Sequence, residues 1–201
     1  MAQQPRSQEK VDRILNTTLE MLASDPLQSV GTKSIAAQSG VSVGTIYRFF
    51  PNKEAIYYEL YQRWLGQSLA ALDQLIDNLQ GDVTLEEFTD AFLQVMSDHE
   101  LNANGYWHLR MAMGVSRKLI DLEAKHRMDV GRRIVLLQNT FGKLPHAQIA
   151  PQVMFLQNEI TIACLFSLSQ FAGNPNEDIL KSLCKRLFLL IFDFDEWGMG
   201  I

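Results

Sequence analysis

Thr32 to Lys53 reads TKSIAAQSGVSVGTIYRFFPNK, and this stretch decides the fold. Thr32 carries a hydroxyl suited to cap a helix start, where the first amides lack partners. Ile35 and Ala36 place apolar contacts one turn in, and Ala37 is small enough for a close helix crossing. Gly40 stands where a helix must turn into the left-handed region, which glycine enters without a Cβ clash. Val41 can plug the corner that follows. Ser42 is the next N-cap, opening a helix from Val43 to about Phe49. Pro51 cannot continue that helix, and Asn52 caps one that begins at Lys53. Helix, glycine turn, second helix is the sequence form of a helix-turn-helix.

The residues Thr32, Ile35, Ala36, Gly40, Val41, Ser42, Gly44, Thr45, Tyr47, Phe49, Phe50, Pro51, Asn52, Lys53 and Glu54 resemble, in type and spacing, the DNA-binding segment of the tetracycline-repressor (TetR) family. The resemblance covers roughly residues 8 to 64. For the rest of the chain it implies only an all-helical ligand-binding and dimerisation domain. It also implies a phosphate-contacting role for Lys53, whose plain alternative is a solvated lysine.

Outward from this segment the pattern stays helical. Val11, Ile14, Leu15, Leu19 and Leu22 form one apolar stripe and predict helix 1 over about residues 7–23. Asp25-Pro26 ends it. Three helices of this size need the next one as a platform. Helix 4 is expected from Lys53 to about Leu79, on the order of 40 Å long, long enough to belong to two domains. Gly81-Asp82 breaks the pattern, and Thr84 with Glu87 forms a capping box for helix 5, to about Asp98. A short helix 6 holds Trp107 to Met113, and helix 7 runs from Arg117 to about Phe141. Helix 8 spans about 151–171 with Gly173 as its C-cap. Asn174, Pro175 and Glu177 read as N-cap, first-turn proline and capping acid for helix 9, over about 175–194. The expected fold is all-α, about nine helices. Residues 1–52 form a three-helix DNA-binding domain, and residues 53–201 a larger ligand-binding and dimerisation domain.

Helices 8 and 9 are apolar on most of their circumference, so they are buried on most sides. One route is a single large core. The other is a four-helix bundle with a second copy of the chain across a two-fold axis, which the resemblance favours.

The whole chain has 18 basic and 23 acidic residues, a net charge of −5. Residues 1–64 hold seven Lys/Arg and six Asp/Glu, or about +1, leaving about −6 for the remainder. The acidity lies in the half that need not meet DNA, and a basic face on the first half can still contact phosphate. No apolar run reaches the ~18 residues of a membrane span. MAQQPRSQEK lacks the apolar core of a secretory signal. A cytoplasmic protein is expected, with Cys164 and Cys184 as reduced packing residues. His99, His108, His126 and His146 do not suggest a metal site, and no cofactor loop is present. An enzyme is not expected: G-x-S-x-G, a phosphate-binding glycine loop and H-E-x-x-H are all missing.

The expected DNA-contacting residues follow from the two short helices. Thr32 and Lys33 can reach a phosphate from the first turn of helix 2, aided by the helix dipole. Ser42, Val43, Gly44, Thr45, Tyr47 and Arg48 form the groove-reading helix. Gly44 is costly inside a helix, a cost explained if the backbone must approach DNA; its plain alternative is relief of a clash with helix 2. Thr45 can meet a thymine methyl or a phosphate, and Arg48 a guanine or the backbone. Tyr47 can pack on sugar with its hydroxyl on phosphate, or be a partly buried core residue. Phe49 belongs to the core.

For a ligand the candidates are Trp64, Phe92, Trp107, His108, Arg110 and Met111, wedged between helices 4, 6 and 7, each with the plain alternative of ordinary core. Together, Met and aromatic residues can make an adaptable apolar pocket, with Arg110 free for a carboxylate. Asn158 and Glu159 interrupt the apolar run of helix 8, either as a buried polar contact or as a helix edge. The functional expectation is a dimeric repressor on an inverted-repeat operator, released by a hydrophobic or aromatic small molecule. The alternative is a DNA-binding protein controlled by a protein partner.

Overall fold

The computed structural model describes residues 3–25, 29–78, 83–101, 106–113, 117–141 and 150–192. Among them lie nine helices and no strand: α1 (Gln3–Ser24), α2 (Thr32–Ser39), α3 (Val43–Phe49), α4 (Lys53–Asp77), α5 (Leu85–Leu101), α6 (Tyr106–Met113), α7 (Arg117–Thr140), α8 (Ala150–Gln170) and α9 (Glu177–Phe192). The breaks expected at Gly81-Asp82, Asn102 to Gly105, Gly114 to Ser116 and Gly142 to Pro145 lie outside the described residues. So do Asp193 and beyond. Among the described residues no helix is long and apolar enough to cross a membrane.

The chain forms two compact units. The first comprises Met1–Gly66 and Ala103–Glu123. Its core takes Ile14, Leu15 and Leu22 from α1, Ile35 from α2, Ile46 from α3, and Ile56, Leu60 and Tyr61 from α4. The platform expected from the start of α4 is therefore present. Leu109 of α6 and Leu119 of α7 join the same core, and α6 packs on α1. Polar ties fix the seams. Tyr57 donates its hydroxyl to the Val30 carbonyl at 3.2 Å, holding α4 to the segment before α2. Arg63 bonds Asp12 of α1 and Glu59 of its own helix, each at 2.8 Å. The Arg63 guanidinium holds the Asp12 carboxyl below the usual carboxylate range.

The second unit comprises Gln67–Asn102 and Ala124–Ile201. Phe88, Phe92, Leu137, Leu165, Leu168 and Phe188 form the centre of its core. Arg133 of α7 grips Asp73 of α4 with two parallel bonds of 2.6 Å. Thr84 and Glu87 form the expected capping box: the Glu87 carboxylate accepts the Thr84 N–H at 2.9 Å, and the Thr84 hydroxyl accepts the Glu87 N–H at 3.2 Å. Gly173 closes α8 at φ +74. One signal shifts: α9 begins at Glu177, so Pro175 precedes the helix instead of opening it. The turn is held because the Glu177 carboxylate reaches back to the Gly173 N–H. Cys164 and Cys184 are free and buried, and burial pushes the Cys164 thiol up to about 12.

Candidate nucleic-acid interface

The helix-turn-helix forms for local reasons, with one departure at its start. Gly31, not Thr32, is the N-cap of α2, in extended backbone at φ −137 and ψ 165. The cap is made from inside the helix: Ser34 accepts the Gly31 N–H on its hydroxyl at 3.0 Å. Thr32 thus becomes the first helical residue and its hydroxyl is released from capping. It lies 3.3 Å from the Tyr47 hydroxyl of α3.

Gly40 ends α2 at φ 66 and ψ 21, a left-handed conformation that costs other residues a Cβ clash. Val41 is buried in the corner. Ser42 caps α3, accepting the Thr45 N–H at 3.2 Å, and its hydroxyl sits 2.8 Å from that of Thr45. Asn52 caps α4 by accepting the Ala55 N–H at 2.9 Å.

The seven residues of α3 divide cleanly. Ile46 is fully buried, while Val43 and Phe49 are half-buried against the core. Gly44, Tyr47 and Arg48 face outward, with Tyr47 52% exposed. That exposure removes the partly buried alternative for Tyr47. A Cβ added at Gly44 would meet nothing within 4 Å, so this glycine relieves no clash with α2. Packing within the unit therefore does not require a glycine here. The Arg48 guanidinium rests 4.8 Å above the Phe49 ring, which braces it at the surface.

Cations on this face differ from those that tie helices together. Arg63, Arg110, Arg133 and Lys185 all have carboxylate partners. Lys33, Arg48 and Lys53 have none among the described residues. Lys33 opens α2, Arg48 lies on α3 and Lys53 begins α4, so three helix segments present unneutralised positive charge. Thr32, Ser42, Val43, Gly44, Thr45 and Tyr47 occupy the same three-helix segment.

The residues expected around a ligand are distributed differently. Trp64 is buried in the first unit with its ring 5.6 Å from Tyr61. His108 is exposed. Arg110 donates to Glu123 at 3.2 Å, and the same carboxylate oxygen accepts the Tyr61 hydroxyl at 2.7 Å. Arg110 and Tyr61 thus share one Glu123 oxygen. Phe92 belongs to the second unit, its ring 4.8 Å from that of Phe188. It lines a cavity of about 30 Å³ with Asn158 and Thr161. Asn158 is buried and Glu159 exposed, so the polar break in α8 has one inward member. The side chains of Trp107 and Met111 lie outside the described residues. Sequence reasoning missed the Tyr61–Arg110–Glu123 cluster, because Glu123 lies on the next helix and shares no local motif with Arg110.

Comparison with known proteins bears on both units. The family described as "Bacterial regulatory proteins, tetR family" matches residues 14–60. The "Fatty acid metabolism regulator protein" of Bacillus subtilis (strain 168) is 32% identical over 65 residues, 32% of this chain and 34% of that protein. The chain thus spans about a third of that relative's length. A crystal structure of a TetR-family transcriptional regulator from Streptomyces coelicolor superposes with a TM-score of 0.65 at 20% identity, covering 92% of this chain and 96% of the other. RolR, solved in complex with resorcinol, gives a TM-score of 0.54 at 17% identity, covering 91% and 89%. The motif, its buried supports and its outward face agree with the family match, and residues 14–60 are a DNA-binding segment of the tetR family of bacterial regulatory proteins.

Proposed function

We propose that this protein is a transcriptional repressor that binds an inverted-repeat operator as a two-fold dimer and leaves it when a hydrophobic or aromatic small molecule binds. The observation that carries the DNA side is the outward face of the helix-turn-helix. Lys33, Arg48 and Lys53 lack carboxylate partners among the described residues, while Gly44, Tyr47 and Arg48 are exposed on α3. Unneutralised cations supply the salt-dependent phosphate attraction. An exposed short helix with a glycine near its start is suited to base edges in the major groove. Residues 1–52, with Lys53 at the start of α4, carry this role, and the remainder of 53–201 carries ligand binding and dimerisation.

Dimerisation is supported by apolar side chains left facing outward in the second unit. Ile179, Leu183 and Leu187 recur at four-residue steps on α9, 71%, 52% and 37% exposed. Leu190 on α9 and Phe155 and Leu156 on α8 extend them. A patch of this kind marks an association site, and two helices from each chain build a four-helix bundle. Two recognition helices about 34–36 Å apart would then meet successive major grooves.

The effector reading rests on the second unit's aromatic core and on RolR, a protein of the same fold solved with the phenol resorcinol. A cavity of about 30 Å³ holds roughly one water. An aromatic ligand there must displace Phe92 and Phe188, with Asn158 and Thr161 as the polar contacts. The helix α4 runs unbroken from Lys53, at the DNA-facing segment, to Asp77, which gives ligand binding a rigid element through which to act.

Selection from random DNA tests the proposal. An inverted repeat is the expected product; a single unsymmetrical site, or no enrichment, refutes it. Operator affinity is then measured with and without phenolic and other aromatic compounds that shift the melting temperature. A coupling of ~1–3 kcal/mol gives a 5–150-fold loss of operator affinity, and operator must weaken the ligand equally.

A further inference from the structure

A cleft of about 340 Å³ opens in the second unit between α5, α8 and α9. That size falls within the range of small-molecule sites, in contrast to the cavity of about 30 Å³ around Phe92. Leu93 of α5 and Leu168 of α8 give the cleft an apolar part. The remaining lining is polar and carries both signs of charge. Lys181 and Lys185 stand one turn apart on α9. Asp90 of α5 accepts from the Lys185 ammonium at 2.8 Å, and Glu86 accepts from it at 3.0 Å. Two acceptors leave that ammonium a third N–H. Lys181 is tethered at 2.7 Å to Glu177.

Ser97 of α5 adds a hydroxyl to this lining. It lines the cleft, is only 5% exposed, and its hydroxyl bonds no other described residue. A helical hydroxyl ordinarily returns its proton to the carbonyl one turn back. Thr89 does so in the same helix, bonding the Leu85 carbonyl at 2.7 Å. The Ser97 oxygen opens onto the cleft, where a seated ligand can bond it.

We propose that this cleft binds a small zwitterion of the amino-acid type. Its carboxylate meets Lys181, Lys185 and the Ser97 hydroxyl. Its ammonium meets Asp90, and an aliphatic side chain covers Leu93 and Leu168. The site is separate from the apolar stripe of α9. By helical position Lys181 and Lys185 occupy one flank of that helix, and Ile179, Leu183 and Leu187 the other. A second copy seated on the stripe leaves the cleft open.

The test uses the full-length protein without DNA, so its outcome is independent of the repressor reading. Leucine, valine, serine and glutamate are titrated singly by calorimetry and thermal shift, beside acetate, methylamine and N-acetyl-leucine. Leucine or valine is expected to bind with Kd on the order of 0.1–1 mM and raise Tm. Acetate, methylamine and N-acetyl-leucine are expected to bind at least tenfold more weakly. Ser97→Ala should weaken the amino acid about five- to tenfold. Lys181→Gln, at a side chain 43% exposed, should do the same without threatening the fold. No amino acid binding at 10-fold above ~1 mM overturns the proposal. So does acetate binding as tightly as leucine, or leucine binding unchanged in Lys181→Gln.

Discussion

The hydroxyls of Thr32 and Tyr47 lie 3.3 Å apart, joining the first residue of α2 to the exposed face of α3. Neither group is needed for a cap, since Ser34 serves α2 and Ser42 serves α3. Their pairing orients two hydroxyls toward the outside of the unit. Tyr47→Phe removes one of them while leaving the ring. The expected result is an unchanged melting temperature and a loss of operator affinity of about five- to tenfold, the worth of one hydrogen bond. Fluorescence anisotropy with labelled operator beside thermal unfolding checks it. An equal loss of stability would make the pair structural.

Gly44 gives the sharper separation of fold from function. Nothing lies within 4 Å of where its Cβ would be. Gly44→Ala should therefore raise helix stability, by up to ~0.5–1 kcal/mol. If α3 enters a groove with its backbone close to DNA, the added methyl should lower operator affinity at least tenfold. Denaturant unfolding and operator titration on the same preparation decide it. A variant both more stable and fully active would remove Gly44 from the interface.

The helix-turn-helix was legible because its signals are local. A left-handed glycine, two caps and a corner valine act within a few residues, and the backbone at Gly40, Ser42 and Asn52 follows them. The slip at Thr32 is of the same scale: Gly31 accepts the extended cap conformation, and Ser34 supplies the hydrogen bond from within the helix. What was not legible depends on contacts distant in sequence. Leu109 and Leu119 are buried in the first unit's core, far from the motif, and no periodicity in α6 announces that. The Arg110–Glu123 pair was not legible either, because the two residues lie on different helices and share no local motif.

Asp73 and Arg133 provide a pH prediction. The paired guanidinium holds the Asp73 carboxyl below its ordinary value of 3.8. A group depressed in the folded state stabilises fully above the unfolded value, and that contribution is lost as pH falls through the folded one. Arg133→Met should therefore cost stability at pH 7, about 0.5–1 kcal/mol after solvent screening of this partly exposed pair. The difference from the parent protein should shrink below pH ~4. Urea unfolding at pH 7 and at acid pH measures it; a cost independent of pH would assign the loss to packing of the Arg133 stem.

The apolar stripe of α9 predicts the oligomeric state. Leu183 is 52% exposed and Leu187 37%, so an aspartate at either position leaves the unit's own core intact. Leu183→Asp and Leu187→Asp should give folded monomers by analytical ultracentrifugation, since a buried unpaired charge opposes association. Operator affinity should fall with dimerisation. Phe166→Asp is a harsher change, because Phe166 is half-buried, and should also lower Tm. A dimeric Leu183→Asp, Leu187→Asp double variant that still bound operator would place the interface elsewhere.

Lys53 tests the phosphate role directly. It begins α4, is half-buried, and has no carboxylate partner among the described residues. Each phosphate neutralised releases condensed counterions, contributing about −0.9 to the slope of log affinity against log salt. In a dimer Lys53→Ala removes two such contacts, so the slope should become shallower by about 2. Affinity should fall for specific and non-specific DNA alike, since a phosphate carries no sequence information. Arg48→Ala should behave differently, relaxing preference at one base position of each half-site. Operator and scrambled duplexes titrated between 50 and 200 mM salt distinguish the two roles. An unchanged slope and affinity in Lys53→Ala would return this lysine to the solvated surface and leave the phosphate contacts to Lys33 and the start of α2.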